Sequence, residues 1–262
     1  MLKKRLIFTL LYDSGNFMLS RNFRLQKVGN LSWLKKNYDF QKISFYIDEL
    51  IVLDISRKKR NLDLFCETLK EISYGCFVPI SSGGGIRSIK DAKKILRSGA
   101  DKIVLNTPIF KNFDLIKKLS KEFGQQCIVG SVDLVKTSNS YKIFIKSGLK
   151  KIDGNLKKNL EFISSGYIGE LYLNSIDQDG TGQGYDLGLL NLLPSVNNIP
   201  VILAGGVGNS IHLSEGISEN KVDAVATANL FNFVGDGLKE ARLNLINEGF
   251  SLAKWKSKEE II

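Results

Sequence analysis

Ser82-Gly83-Gly84-Gly85-Ile86-Arg87 and Ala204-Gly205-Gly206-Val207-Gly208 decide how this chain folds, because the second repeats the first at an offset of 121 residues. Each glycine loop follows a short β-prone run and precedes a helix-length amphipathic segment. The repeat reaches beyond the glycines: Glu49-Leu50 returns as Glu170-Leu171 at the same offset, and Asp101, ahead of an apolar strand, returns as Asp223 after 122 residues. Self-similarity at half the chain length marks repeated architecture, and a doubly wound open sheet would show none. Working outward, eight runs read as strands: Arg5 to Leu11, Glu49 to Ile55, Phe77 to Ser81, Lys102 to Asn106, Gln126 to Asp133, Glu170 to Asn174, Pro200 to Ala204 and Asp223 to Thr227. Segments between them carry apolar residues at three- and four-residue spacing, as in Leu62, Phe65, Cys66, Leu69 and Ile72. Strands alternating with helices give a parallel sheet with crossover helices. Eight units predict an α/β (β/α)8 TIM barrel of two similar half-barrels, about 1–122 and 123–250, in a single domain over 1–262 with a short C-terminal tail. Leu134 to Gly154 breaks the rhythm and reads as a small hairpin laid over the end of strand five.

Composition supports this reading. A chain of 262 residues with 43% hydrophobic residues fits a barrel of about 250 residues and buries a core without disulfides. Apolar runs fall short of the roughly 20 residues of a membrane span, and the Met1-Leu2-Lys3-Lys4-Arg5 start lacks a signal-peptide pattern, so a cytoplasmic protein without membrane contact is expected. Cys66, Cys76 and Cys127 form no CxxC pair and are read as reduced structural thiols. The net charge of +10 favours anionic ligands, but the basic residues are scattered and no nucleic-acid surface is predicted. No zinc-like cluster is seen, so neither metal nor cofactor is expected. The lone histidine, His212, reads as an exposed or capping residue at the start of helix seven.

Chemistry in such barrels gathers where strands end and helices begin. Gly84 and Gly85 after strand three, with Asn106 and Thr107 after strand four, are expected to bind one phosphate-sized anion. Gly205 and Gly206, with Ala228 and Asn229, are expected to bind a second. Two such sites across one mouth suit an anionic or phosphorylated small molecule, a bisphosphate above all. Arg57-Lys58-Lys59-Arg60 lies at the same mouth, where it adds charge for an anion or simply forms a solvated charge run.

The chain resembles the cyclase subunit of imidazole glycerol phosphate synthase over nearly its whole length. The resemblance rests on Leu53-Asp54-Ile55, Gly83-Gly84-Gly85-Ile86-Arg87, Gly99-Ala100-Asp101-Lys102, Phe123-Gly124-Gln125-Gln126, Ser175-Ile176-Asp177-Gln178-Asp179-Gly180-Thr181 and Gly184-Tyr185-Asp186. It implies a barrel that uses ammonia from a separate glutaminase to cleave and cyclise a bisphosphorylated ribonucleotide, with two facing aspartates as acid and base. It also places Asp54, Asn174 and Asp179 in the pocket. Strand five keeps its aspartate as Asp133. The strand-one aspartate falls on Leu11, and a lysine of the following loop falls on Leu19. A leucine transfers no proton, and one general acid or base contributes roughly 10² to 10⁴ in rate. Asp13, two residues on, is the available substitute. Leu10-Leu11 and Leu173-Asn174-Ser175 are similar to a paralogous group linked to acetamidino modification of surface sugars, in which the barrel works with a glutaminase and an ATP-dependent sugar amidotransferase. A true cyclase and a small-molecule isomerase remain alternatives.

Arg5, Glu49, Lys102 and Glu170 fall at the starts of their strands, at the opposite end from the glycine loops. Inward-facing, they form either a mutually satisfied ion-pair layer or, as the resemblance implies, a gate admitting ammonia from a glutaminase docked on the strand-start face. The chain has no nucleophile turn around its cysteines, so glutamine hydrolysis is assigned to that partner.

Overall fold

The computed structural model describes residues 3–58, 60–194, 198–229 and 236–253. Eight parallel strands form the centre: β1 (Arg5–Asp13), β2 (Glu49–Asp54), β3 (Ile80–Gly83), β4 (Lys102–Leu105), β5 (Ile128–Lys136), β6 (Glu170–Ser175), β7 (Val201–Ala204) and β8 (Ala224–Thr227). Each pairs with the next, and β8 pairs back onto β1, so the sheet closes into a (β/α)8 barrel. Side chains alternate along each strand. On β1, Leu6, Phe8 and Leu10 face outward into the large core shared with the helices, whereas Ile7 joins Ile51, Val104, Val129, Tyr172 and Ile202 inside the barrel.

The helices start where side chains can cap them. Asn61 Oδ1 accepts from Leu64 N at 3.1 Å at the start of Leu62–Ser73, and Ser88 Oγ accepts from Asp91 N at 3.1 Å at the start of Ile89–Leu96. The repeated aspartates do the same work in both halves. Asp101 accepts from Ile80 N at 2.8 Å and Asp223 accepts from Val201 N at 2.9 Å, each holding the first amide of the preceding strand.

Three differences from the sequence reading have physical causes. Strand three begins at Ile80, not Phe77, because Pro79 has no amide for the ladder and Phe77 is half exposed. The crossover after β6 holds 3-10 turns at Leu187–Leu192 in place of a regular helix, closed off by Pro194. The loop after strand one is itself a β-hairpin, Asn16–Arg21 and Arg24–Asn30, which extends β1 to Asp13. Its two-residue turn sets Asn22 and Phe23 at φ 50° and 61°, the primed geometry that fits strand twist. The expected hairpin over strand five is present: Tyr141–Ile145 pairs antiparallel with β5, Asp133 opposite Phe144. Lys59 and the C-terminal tail beyond Ala253 lie outside the described residues.

Candidate functional site at the barrel mouth

A cavity of about 1040 Å³ occupies the strand-end mouth, and the glycine loops of both halves line it. Gly84 (φ 113°) and Gly206 (φ 113°) occupy backbone conformations that favour glycine, and neither has room for a methyl group. A Cβ on Gly84 would stand 2.0 Å from the Asp54 carbonyl oxygen, and one on Gly206 would stand 1.9 Å from that of Gly184. Gly85, Gly205, Ala228 and Asn229 line the same space.

Asn106 and Thr107 line the cavity as well, and their side chains also bond to neighbouring segments. Asn106 Nδ2 donates to Ser131 O at 3.1 Å and to Asp133 Oδ2 at 3.2 Å, and Thr107 Oγ1 accepts from Lys146 N at 3.2 Å. Their side chains serve neighbouring loops because Asn106 follows the inward face of β4 directly beside β5.

Asp133 stands at the inner end of the cavity, with 8% of its surface exposed. Asn174 Nδ2 donates to its Oδ1 at 3.0 Å. Burial pushes the carboxyl up to about 7; the Asn174 hydrogen bond partly offsets that shift and the charge of Asp179 adds to it. Leu11 lines the cavity on β1 together with Leu53, its register partner on β2, and Leu19 lines it from the hairpin. Asp13 does not line this cavity. It sits at the base of the hairpin opposite Asn16 and accepts from Ser14 Oγ at 2.8 Å, so the geometry gives the substitute-acid expectation no support.

Asp54 and Asp179 organise the rim rather than the floor. Asp54 is buried, accepts from Ser56 N at 2.9 Å and holds the Arg60 guanidinium at 3.5 Å. Asp179 accepts from Ser20 Oγ and, at 3.0 Å, from Phe23 N, pinning the hairpin turn over the mouth; burial raises its carboxyl pKa. Arg57 Nη2 donates to Phe23 O and Ser147 O, tying both hairpins together. Arg60 departs from the solvated-run reading by pairing with buried Asp54, whereas Arg57 stays exposed while bonding the two hairpin carbonyls.

Arg5, Glu49, Lys102 and Glu170 meet at the other end. Lys102 Nζ donates to Glu49 Oε2 at 2.8 Å and to Glu170 Oε2 at 2.9 Å. Arg5 reaches the same two carboxylates, Glu49 at 3.1 Å and Glu170 more closely, and Ser81 Oγ donates to Glu49. Burial opposes the charges on Arg5 and Lys102, yet the facing glutamates outweigh it and raise both pKa values. Two cations and two anions thus form one closed, mutually satisfied ring across the barrel.

The remaining sequence candidates have structural places. His212 Nδ1 accepts from Gly208 N at 3.2 Å, a capping role. Cys66, Cys76 and Cys127 are free thiols, and burial raises the pKa of each. Among the described residues no cluster of histidine, cysteine and carboxylates fits a metal, and no helix is long and apolar enough to cross a membrane. Tyr172, absent from the sequence candidates, lines the cavity from inside the barrel. Its inward parity with Glu170 and Asn174 on β6 was the available signal.

Comparison with known proteins matches this geometry to a lineage. Residues 27–235 match the family described as "Histidine biosynthesis protein"; the match begins after β1, the strand that carries Leu11. A protein of Parasynechococcus marenigrum (strain WH8102), provisionally named imidazole glycerol phosphate synthase subunit hisF2, is 46% identical over 256 residues, 97% of this chain and 95% of that protein. The imidazole glycerol phosphate synthase subunit HisF of Clostridium botulinum (strain Okra / Type B1) is 36% identical over 260 residues, 96% of this chain and 99% of that protein. The chain belongs to the histidine biosynthesis protein family, among the cyclase-subunit barrels of imidazole glycerol phosphate synthase.

Proposed function

We propose that this chain is the barrel subunit of a glutamine-dependent amidotransferase system and conducts ammonia without performing the cyclase reaction itself. A separate glutaminase docks on the strand-start face, ammonia passes the ring of Arg5, Glu49, Lys102 and Glu170, and it leaves at the mouth. There an ATP-dependent sugar amidotransferase places the nitrogen on the acetamido group of a surface-polysaccharide or glycoprotein sugar. The system works in the cytoplasm.

Leu11 carries this reading. The cyclase reaction needs two proton-transferring groups facing one substrate; Asp133 stands at the inner end of the mouth, the β1 position holds Leu11, and the other carboxylates discussed above, Asp54 and Asp179, are engaged at the rim. Asp133 itself is clamped by Asn106 and Asn174, which fixes its orientation at the barrel's upper end. Phosphate groups find backbone donors at the glycine loops irrespective of Leu11, so anion binding at the mouth survives the loss. The ring's chemistry also fits. An ammonium ion exchanges contacts with the carboxylates, while displacement of the Lys102 ammonium opens the centre. Ammonia released to bulk water is diluted and protonated, whereas a closed route maintains a high effective concentration.

One feature favours a complete cyclase instead: burial pushes the Asp133 carboxyl up to about 7, which suits acid and base work at neutral pH. The two readings separate in a reconstituted complex of barrel, glutaminase and amidotransferase. Lys102→Ala is expected to lower glutamine-driven product formation on the order of tenfold relative to ammonium-driven formation. An equal effect on both, or none on either, would restrict the ring to barrel stability.

A further inference from the structure

One side of the mouth is apolar. Leu11 on β1 and Leu53 on β2 are register partners, and Leu53 is in turn the partner of Gly83, the first glycine of the loop after β3. The two leucines therefore stand directly beside the first anion loop. Leu19 adds a third apolar side chain from the hairpin, and all three are only half-buried where they line the cavity. Apolar surface turned toward water in a cavity is surface that a ligand can cover with gain. Pockets for small molecules combine such a wall with a few placed polar groups.

The polar groups are present on both flanks. Asp133 lines the cavity from β5, four strands from β1 in either direction and so across the barrel from Leu11. Its two oxygens accept from Asn174 and Asn106 and keep further lone pairs, and burial leaves the carboxyl divided between its two forms near neutral pH. The ionised form accepts from an amide N–H, and the protonated form donates to an amide carbonyl. An amide therefore pairs with either. On the other flank Arg60 lies along Gly85, so close that a Cβ there would stand 2.7 Å from Arg60 Cδ, and Arg87 lines the same side. That flank suits a phosphate.

Resting on the sugar-modifying part of the function proposed above, we infer that the barrel mouth itself seats a phosphorylated N-acyl sugar, with the acyl methyl against Leu11, Leu19 and Leu53, the amide at Asp133 and the phosphate at Gly84 and Gly85. The site then discriminates by what the leucines can cover. A methyl group gains by burial there, whereas a sugar hydroxyl in the same place loses its water and finds no partner. The replacement of polar groups by Leu11 and Leu19 thus gives the mouth a different ligand preference rather than a mere loss.

Binding of two probes to the full chain tests the seat. By titration calorimetry, N-acetylglucosamine-1-phosphate should bind on the order of tenfold more tightly than glucose-1-phosphate, which carries a hydroxyl in place of the acylamino group. Leu11→Asn and Leu53→Asn should each remove most of that preference. Equal affinity for the two probes, or a preference that survives both substitutions, would overturn the proposal. Crystals of the unmodified chain with N-acetylglucosamine-1-phosphate give a second reading that needs no variant to fold. The acyl methyl should lie within about 4 Å of Leu11 and Leu53, and a methyl turned to solvent would overturn the seat. If Lys102→Ala uncouples the reconstituted complex while the two probes bind alike, the seat fails and the ammonia-conducting role stands. If the N-acyl preference is found while Lys102→Ala uncouples nothing, the seat stands and that role fails.

Discussion

The two ends of the barrel satisfy their charges in opposite ways. At the strand-start end Arg5, Glu49, Lys102 and Glu170 neutralise one another completely, and each glutamate accepts from both cations. At the mouth Asp133 is buried with two amide donors but no cation, and the position facing it across the family's active site holds Leu11. A paired ring is stable at every pH near neutrality, whereas a lone buried carboxyl is a stored cost. The contrast separates a charge layer that satisfies itself from a carboxyl whose ionisation the fold opposes.

Breaking the ring should have the largest effect on stability. Glu170→Ala leaves Arg5 and Lys102 sharing Glu49 alone, and removing one partner of a mostly buried ion-pair cluster costs about 3–5 kcal/mol. Denaturant unfolding should show that loss as a lower midpoint with an unchanged slope. A change under 1 kcal/mol would mean that water already screens the ring.

Asp133 should give a pH-dependent effect of similar ceiling and opposite sign. Its folded pKa, about 7, exceeds the ordinary aspartate value of 3.8, so the folded state binds the proton more tightly than the unfolded state does. The contribution of Asp133 to stability is therefore fully present below about pH 4 and is lost as pH rises to about 7. At about 3 units and 1.36 kcal/mol per unit, the decline approaches about 4 kcal/mol. Asp133→Asn keeps the group neutral at every pH, so the difference in stability between variant and parent should grow across that window in favour of the variant. A pH-independent difference would contradict the buried-carboxyl account.

The smallest effect concerns the anion sites. Phosphate at ten times its dissociation constant would stabilise the fold by about 1.4 kcal/mol per site. Crystals in phosphate should show one ion near Gly84 and Gly85 and another near Gly205 and Gly206. The first should bind more tightly, because Arg57, Arg60 and Arg87 line that side, whereas among the described residues the loops after β6, β7 and β8 contribute no cation to the lining. Both positions empty at high phosphate would remove the bisphosphate-like character of the mouth.

The sequence was most legible where a residue's role follows from its place along a strand. The inward ring could be read from Arg5, Glu49, Lys102 and Glu170 because strand alternation and parallel register leave them one place to meet. The glycine loops were legible because Gly84 and Gly206 press against the backbone of neighbouring loops and admit no side chain. The hairpin over the mouth was not. Asn16–Arg21 and Arg24–Asn30 turn on Asn22 and Phe23, and a phenylalanine at positive φ is held by Asp179, a residue 156 positions away. The bond from the Asn106 amide to Asp133 on the adjacent strand was likewise not visible in the sequence.

The account's central claim is that Leu11 ended the cyclase chemistry while the ring stayed intact. The most direct measurement is single-chain turnover of the bisphosphorylated ribonucleotide with saturating ammonium, compared between the natural sequence and Leu11→Asp. Loss of one member of an acid and base pair raises the barrier by about 3–5 kcal/mol, so the natural sequence should turn over 10² to 10⁴ times more slowly than an ordinary enzyme at about 10 per second. Leu11→Asp, which restores a carboxylate facing Asp133, should recover part of that rate. Turnover at an ordinary enzymatic rate with Leu11 in place would contradict the account and identify the chain as a complete cyclase.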